Sequence, residues 1–126
     1  STTDQTIEAE IQAKGLTAPR VTPDDIEANI VSEHYFTAGH GAYGAILEER
    51  GLPDRTHLRP GLPLNLLTFC VLVLRNGFTV TGESACASSE NFNAEIGRKI
   101  ARENAVNKMW PLLGYELKSK LAGGQA

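Results

Sequence analysis

The chain predicts an α+β fold: an antiparallel β-hairpin or small sheet packed on an N-terminal helix and a long C-terminal helix, in an oligomer. Three observations carry that prediction. "LTFCVLVLR" and "FTVTGES" flank Asn76-Gly77, a dipeptide that favours a two-residue hairpin turn. "VTPDDIEANIVSEHYF" opens with helix-start chemistry, and the residues from Phe92 onward repeat with helical period. The third is a stripe of small residues on that last helix, which lets another backbone approach closely.

The chain has 126 residues, enough for one domain with a real core. At 41% hydrophobic and 21% charged it has the composition of an ordinary soluble globular protein. The longest apolar run, Leu66 to Leu74, is far short of the ~20 residues a membrane-spanning helix needs. The polar, acidic start "STTDQTIEAE" does not resemble a secretory leader, so a cytoplasmic location is expected. A net charge of -3 disfavours DNA or RNA duplex as a partner, but a local pair of cations is enough for a small anion.

The elements follow in order. Residues 1–21 form an N-terminal arm with a short helix-prone stretch, Gln5 to Lys14. A single α+β domain covers 22–121, and 122–126 is a flexible tail. Thr22 is placed as an N-cap, Pro23 suits the first turn, and Asp24 and Asp25 favour the positive end of the helix dipole. Ile26, Ile30, Val31 and Tyr35 supply the apolar face of that helix, and the glycines of "TAGHGAYGA" break or loosen it. Residues 48–65, "EERGLPDRTHLRPGLPLN", read as a long loop. With Asn76-Gly77 at the turn, Arg75 pairs with Phe78, Val73 with Val80 and Val71 with Gly82. That register puts Phe69, Val71, Val73, Phe78 and Val80 on the core face. An isolated ribbon is marginal, so a third strand or a second subunit is expected beside it. Ser88 or Ser89 caps the last helix, and Pro111 kinks or breaks it.

At 100° per residue, Phe92, Ile96, Ile100, Val106 and Trp110 fall within about 80° of one direction and are expected to face the hairpin. Ala94, Gly97, Ala101 and Ala105 lie opposite. A helix-interior glycine such as Gly97 costs roughly 1 kcal/mol against alanine, which points to a close contact, here assigned to another subunit. Arg98 and Arg102 share one face beside this stripe and would bind phosphate bidentately.

Catalysis is not expected. His34, His40 and His57 share no metal spacing, and "GESAC" lacks the second glycine of a nucleophile elbow, which leaves Ser84 without activation. Cys70 and Cys86 read as reduced structural thiols. No metal and no cofactor are expected. "GESACASSEN" precedes a helix N-terminus, where free N–H groups attract anions.

"NGFTVTGESAC", followed by "GRKIARENA" and the Trp110-to-Tyr115 segment "WPLLGY", resembles the Gp-forty-nine-like family of small phage and prophage proteins over roughly residues 20–121. Within it the chain resembles the first class of phage anti-Thoeris (Tad) sponge proteins. The resemblance implies a binding protein that is not an enzyme. It implies sequestration of cyclic ADP-ribose isomers made by TIR-domain enzymes, and of CBASS cyclic di- and trinucleotides at a separate site. It also implies a homo-oligomer built as a trimer of dimers. Arg98 and Arg102 are carried over as the cyclic-oligonucleotide pair. Phe78, Thr81, Ser84, Asn91 and Arg75 are the candidates for the cyclic ADP-ribose site, with Arg59 in reserve. The alternative is a phage interaction protein that blocks a host protein through its helical faces.

Overall fold

A computed structural model describes residues 2–16, 18–51, 59 and 61–124. His57 and most of the central part of the predicted long loop lie outside the described residues, as does the end of the tail. The architecture is α+β: a three-stranded antiparallel sheet in the order β1-β2-β3, crossed on one face by a long C-terminal helix. The elements are α1 (Thr2–Ala13), α2 (Pro23–Asn29), β1 (Ile30–Thr37), α3 (Ala38–Arg50), β2 (Leu67–Leu74), β3 (Thr79–Ala85) and α4 (Ala94–Ala122). Short 3-10 turns at Pro63–Leu66 and Ser89–Asn91 lead into β2 and toward α4.

The predicted start of α2 is present as a full capping box. The Asp25 N–H donates to Thr22 Oγ1 (3.1 Å), and the Thr22 N–H donates to Asp25 Oδ2 (2.9 Å). The predicted long helix there is corrected, because α2 lasts only seven residues and "IVSEHYFT" is strand β1. This is the third strand the hairpin needed. Its β-branched and aromatic residues suit a pleated surface, and pairing with β2 overrides the helical spacing of Ile26, Ile30 and Val31. The glycine-rich "AGHGAYGA" does not break a helix but begins one. Thr37 caps α3 through the His40 N–H (3.2 Å), while the Thr37 N–H donates to His40 Nδ1 (3.1 Å).

The hairpin exists, but its register differs by one residue from the predicted one. Val73 faces Thr79, Leu72 faces Val80 and Cys70 faces Gly82. The turn explains the slip. A type I′ turn needs positive φ at both Asn76 and Gly77. Here only Gly77 has it (86°), and no non-glycine residue does. The Gly77 N–H donates to the Leu74 carbonyl (2.9 Å) and the Leu74 N–H to the Phe78 carbonyl (2.8 Å). Asn76 Oδ1 accepts from the Phe78 N–H (2.9 Å), so Asn76 uses its side chain and keeps an ordinary backbone. The loop is thus the three-residue type with glycine in the left-handed position.

One residue of slip exchanges faces. The buried face of the hairpin is Thr68, Cys70, Leu72 and Leu74 with Val80 and Gly82, not the predicted Phe69, Val71, Val73 and Phe78. Phe78 is 55% exposed. Phe69 stacks at 5.8 Å between ring centroids on Phe36 of β1, on the face away from α4.

The orientation of α4 is reversed as well. Gly97, Ala101 and Ala105 are buried against the sheet of the same chain, while Ile96 (55%) and Ile100 (47%) point outward. The backbone of β3 explains why small residues are needed there. A Cβ on Gly82 would lie 2.0 Å from the Ala101 carbonyl oxygen and 2.3 Å from the Ala105 nitrogen. The stripe therefore accommodates the chain's own hairpin, and the subunit contact inferred from it loses that support. Ile26, Leu72, Val106 and Met109 complete the core. Asn93, rather than Ser88 or Ser89, caps α4 by accepting the Ile96 N–H (3.0 Å). The helix also runs unbroken past Pro111 to Ala122.

Candidate functional site

Two helix N-termini, those of α3 and α4, open at the same end of the sheet, where Phe92 stands between them. Both carry free N–H groups and the positive end of a helix dipole. Their caps, Thr37 and Asn93, satisfy one donor each with His40 and Ile96. Around the half-buried Phe92 lie three shallow hollows. One of about 170 Å³ is walled by Tyr35, Phe36, Thr37, His40, Thr68 and Arg98. A second, about 310 Å³, is bounded by Thr37, His40, Asn65, Leu66 and Ser89. On the β3 side, a third of about 140 Å³ is lined by Ser84, Cys86, Asn91, Ile96 and Ile100 among others. Ring faces, hydroxyls, amides and one guanidinium converge here. Such a mixture suits a flat, hydroxylated anion.

The two arginines predicted as a pair occupy different environments. Arg102 is committed to its own chain. Its Nη2 donates to Glu27 Oε1 of α2 (2.7 Å), and its Nε donates to Glu33 Oε1 of β1 (2.8 Å). This fork ties α4 to α2 and β1. The hydrogen bond from Arg102 holds the Glu33 carboxyl below the usual carboxylate range, although partial burial opposes it. Glu33 also accepts the Tyr35 hydroxyl (2.7 Å). Burial, then that bond, pushes the Tyr35 phenol well above its ordinary value. Burial likewise raises the neighbouring Cys70 thiol. Tyr35 and Glu33 thus hold their protonation states around neutral pH, as befits a structural network. Arg98, one turn earlier and exposed, has no ion-pair partner among the described residues and faces the Phe36–Phe92 hollow.

The five residues predicted for a second ligand are divided by the sheet. Ser84 and Asn91 sit at the Phe92 end. Arg75 and Phe78 sit at the hairpin tip, six strand residues or about 20 Å away. The Arg75 Nε there donates to the Ala28 carbonyl (3.0 Å), and its N–H donates to that of Asn29 (3.0 Å). Thr81 lies midway along β3, beside Lys108 (3.5 Å) and Glu83 (3.3 Å). The reserve candidate Arg59 accepts the Asn65 amide through its carbonyl (2.7 Å). Phe92, Tyr35, Phe36, Thr37 and His40 were not singled out for the site from sequence. The signal present was the Thr37-to-His40 spacing of a capping box, obscured by the glycines that follow it.

Among the described residues, no helix is long and apolar enough to cross a membrane. Residues 21–121 match the family model described as Phage protein (N4 Gp49/phage Sf6 gene 66) family. No curated protein and no solved structure matches the chain.

Proposed function

Because this chain belongs to the N4 Gp49/phage Sf6 gene 66 family of phage proteins, we propose that it is an anti-defence sponge acting in the cytoplasm of the infected host. It sequesters cyclic ADP-ribose isomers made by TIR enzymes, and CBASS cyclic di- or trinucleotides at a separate site, without degrading either. The observation that carries this reading is the Phe92 corner. Two helix N-termini and Arg98 offer donors to phosphate, while Phe92 and Tyr35 offer ring faces to a base. Arg98 serves the cyclic oligonucleotide in its hollow, and Ser84 and Asn91, in the distinct hollow on the β3 side, serve the cyclic ADP-ribose isomer. Arg98 is the cation available to ligand, whereas Arg102 can join it only by releasing Glu27 or Glu33. Arg75, Phe78 and Thr81 would contribute from a neighbouring subunit, which fits an assembly of dimers.

The test is to load purified protein with a cyclic ADP-ribose isomer, remove free ligand, and heat-denature the complex. Intact ligand in the supernatant supports sequestration. An altered product indicates an enzyme, and ligand never retained refutes the proposal. Native mass measures the oligomer. The exposed Ile96 and Ile100 on α4 favour one competing reading, in which a helical face blocks a host protein. A specific stoichiometric host protein captured from lysate, with no nucleotide bound, selects that reading.

A further inference from the structure

Helix α1 lies outside the family domain in sequence, yet docks on it. None of its residues is buried, and Ile7 is 51% exposed. At 12 residues it is too short to be a stable helix in water by itself, so its helicity depends on what it touches. Those contacts are few. Trp110 Nε1 donates to Asp4 Oδ2 (3.2 Å). Arg20, on the chain returning toward α2, grips Glu8 bidentately (2.5 and 2.6 Å). Ile7 and Ile11 approach Val21, Pro23 and Trp110, but a hollow of about 230 Å³ separates them. Under the other flank of α1 a second cavity, about 290 Å³, reaches down to Ile26, Val106, Trp110 and Arg102. The helix is held by polar latches over space rather than by close packing, in contrast to α4.

We propose that α1 is a strap that folds as it docks on the Trp110 face and unfolds as it leaves, opening and closing the cavity above Ile26, Val106 and Arg102. The closed form is the one held by Asp4–Trp110 and Glu8–Arg20. The opening free energy of such an element is low, because few apolar contacts are lost, while the β2 core stays shut. The proposal is independent of the ligand reading at the Phe92 corner.

Trp110 is the sole tryptophan and reports the latch directly. The experiment is native-state hydrogen exchange on the full chain at neutral pH, with iodide quenching of Trp110 emission. Residues 2–13 should exchange far faster than β2. Glu8→Gln should accelerate their exchange at least two- to fivefold further, the range for losing an exposed ion pair being the lower bound for this partly covered one. It should raise the Trp110 quenching constant and leave β2 protection unchanged. Arg20→Gln, which removes the other partner, should reproduce all three changes. Protection of 2–13 equal to that of β2 overturns the strap. So does fast exchange with Trp110 quenching unmoved in both variants, because the helix would then fray without leaving.

Discussion

Gly82→Ala tests the packing at its tightest point. The added Cβ would sit 2.0 Å from the Ala101 carbonyl oxygen and 3.0 Å from the Ala105 Cα. Ordinary contact begins at 3.4 Å, so the helix must retreat by about 1.4 Å along that line. Both obstacles are backbone, so no side-chain rotation relieves the clash. A gap of 0.5–1 Å already forfeits roughly a quarter to a half of a dispersion well. The retreat opens such a gap beneath Cys70, Leu72, Ala101, Ala105 and Met109, all fully buried. Overpacking costs about 1–3 kcal/mol where side chains can adjust, and this case belongs at or above ~3 kcal/mol. At this chain length that lowers Tm by roughly 10 °C. Urea denaturation followed by circular dichroism measures it. Gly97→Ala is the control. Its Cβ would meet only the Thr68 side chain at 3.1 Å, and the helix gains propensity, so stability should stay within about 1 kcal/mol of the parent. Equal stability of Gly82→Ala and the parent would refute direct seating of α4 on β3.

Further outcomes are expected. Arg102→Gln leaves Glu27 and Glu33 without their cation and should destabilise by about 1 kcal/mol, kept small by the exposure of Glu27, whereas Arg98→Gln should leave the urea midpoint unchanged. Because Arg102 lowers the Glu33 pKa, the stability from that pair is present above the ordinary carboxylate range and lost as pH falls through the depressed value; Arg102→Gln should flatten acid unfolding in that window. Glu8, held at about 2 by Arg20 and Gln12, with Asp25 also near Arg20, stays ionised until strongly acidic pH. Docking of α1 should therefore persist down to about pH 4.5 and be lost on approaching pH 2, read as increased Trp110 quenching. Gly114→Ala meets nothing within 4 Å on exposed α4 and should stabilise by about 0.5–1 kcal/mol, measured as a raised urea midpoint.

The candidate site was legible only in parts. Arg98, Ser84 and Asn91 were marked by residue type and do border the Phe92 corner. The place of Tyr35 in its wall was not visible, because that residue was assigned to a helix until pairing with β2 made it strand. The separation of Phe78 from Ser84 follows directly from strand length, and sequence reading overlooked it by grouping the hairpin with its exit turn.

Local chemistry was sufficient for whatever depends on a few neighbouring residues: the N-cap at Thr22, the turn near Asn76-Gly77, the α+β class and the long last helix. Facing was decided elsewhere. Whether Asn76 or only Gly77 takes positive φ shifts the register by one residue, and a period of two turns that single step into an exchange of core and surface. The small stripe of α4 announced a close contact, as Gly97, Ala101 and Ala105 indeed make. Its partner was set only when β3 placed Gly82, a residue without a side chain, beneath the helix. Arg102 likewise became a clamp rather than an open cation because β1 and α2, distant in sequence, carry carboxylates to it.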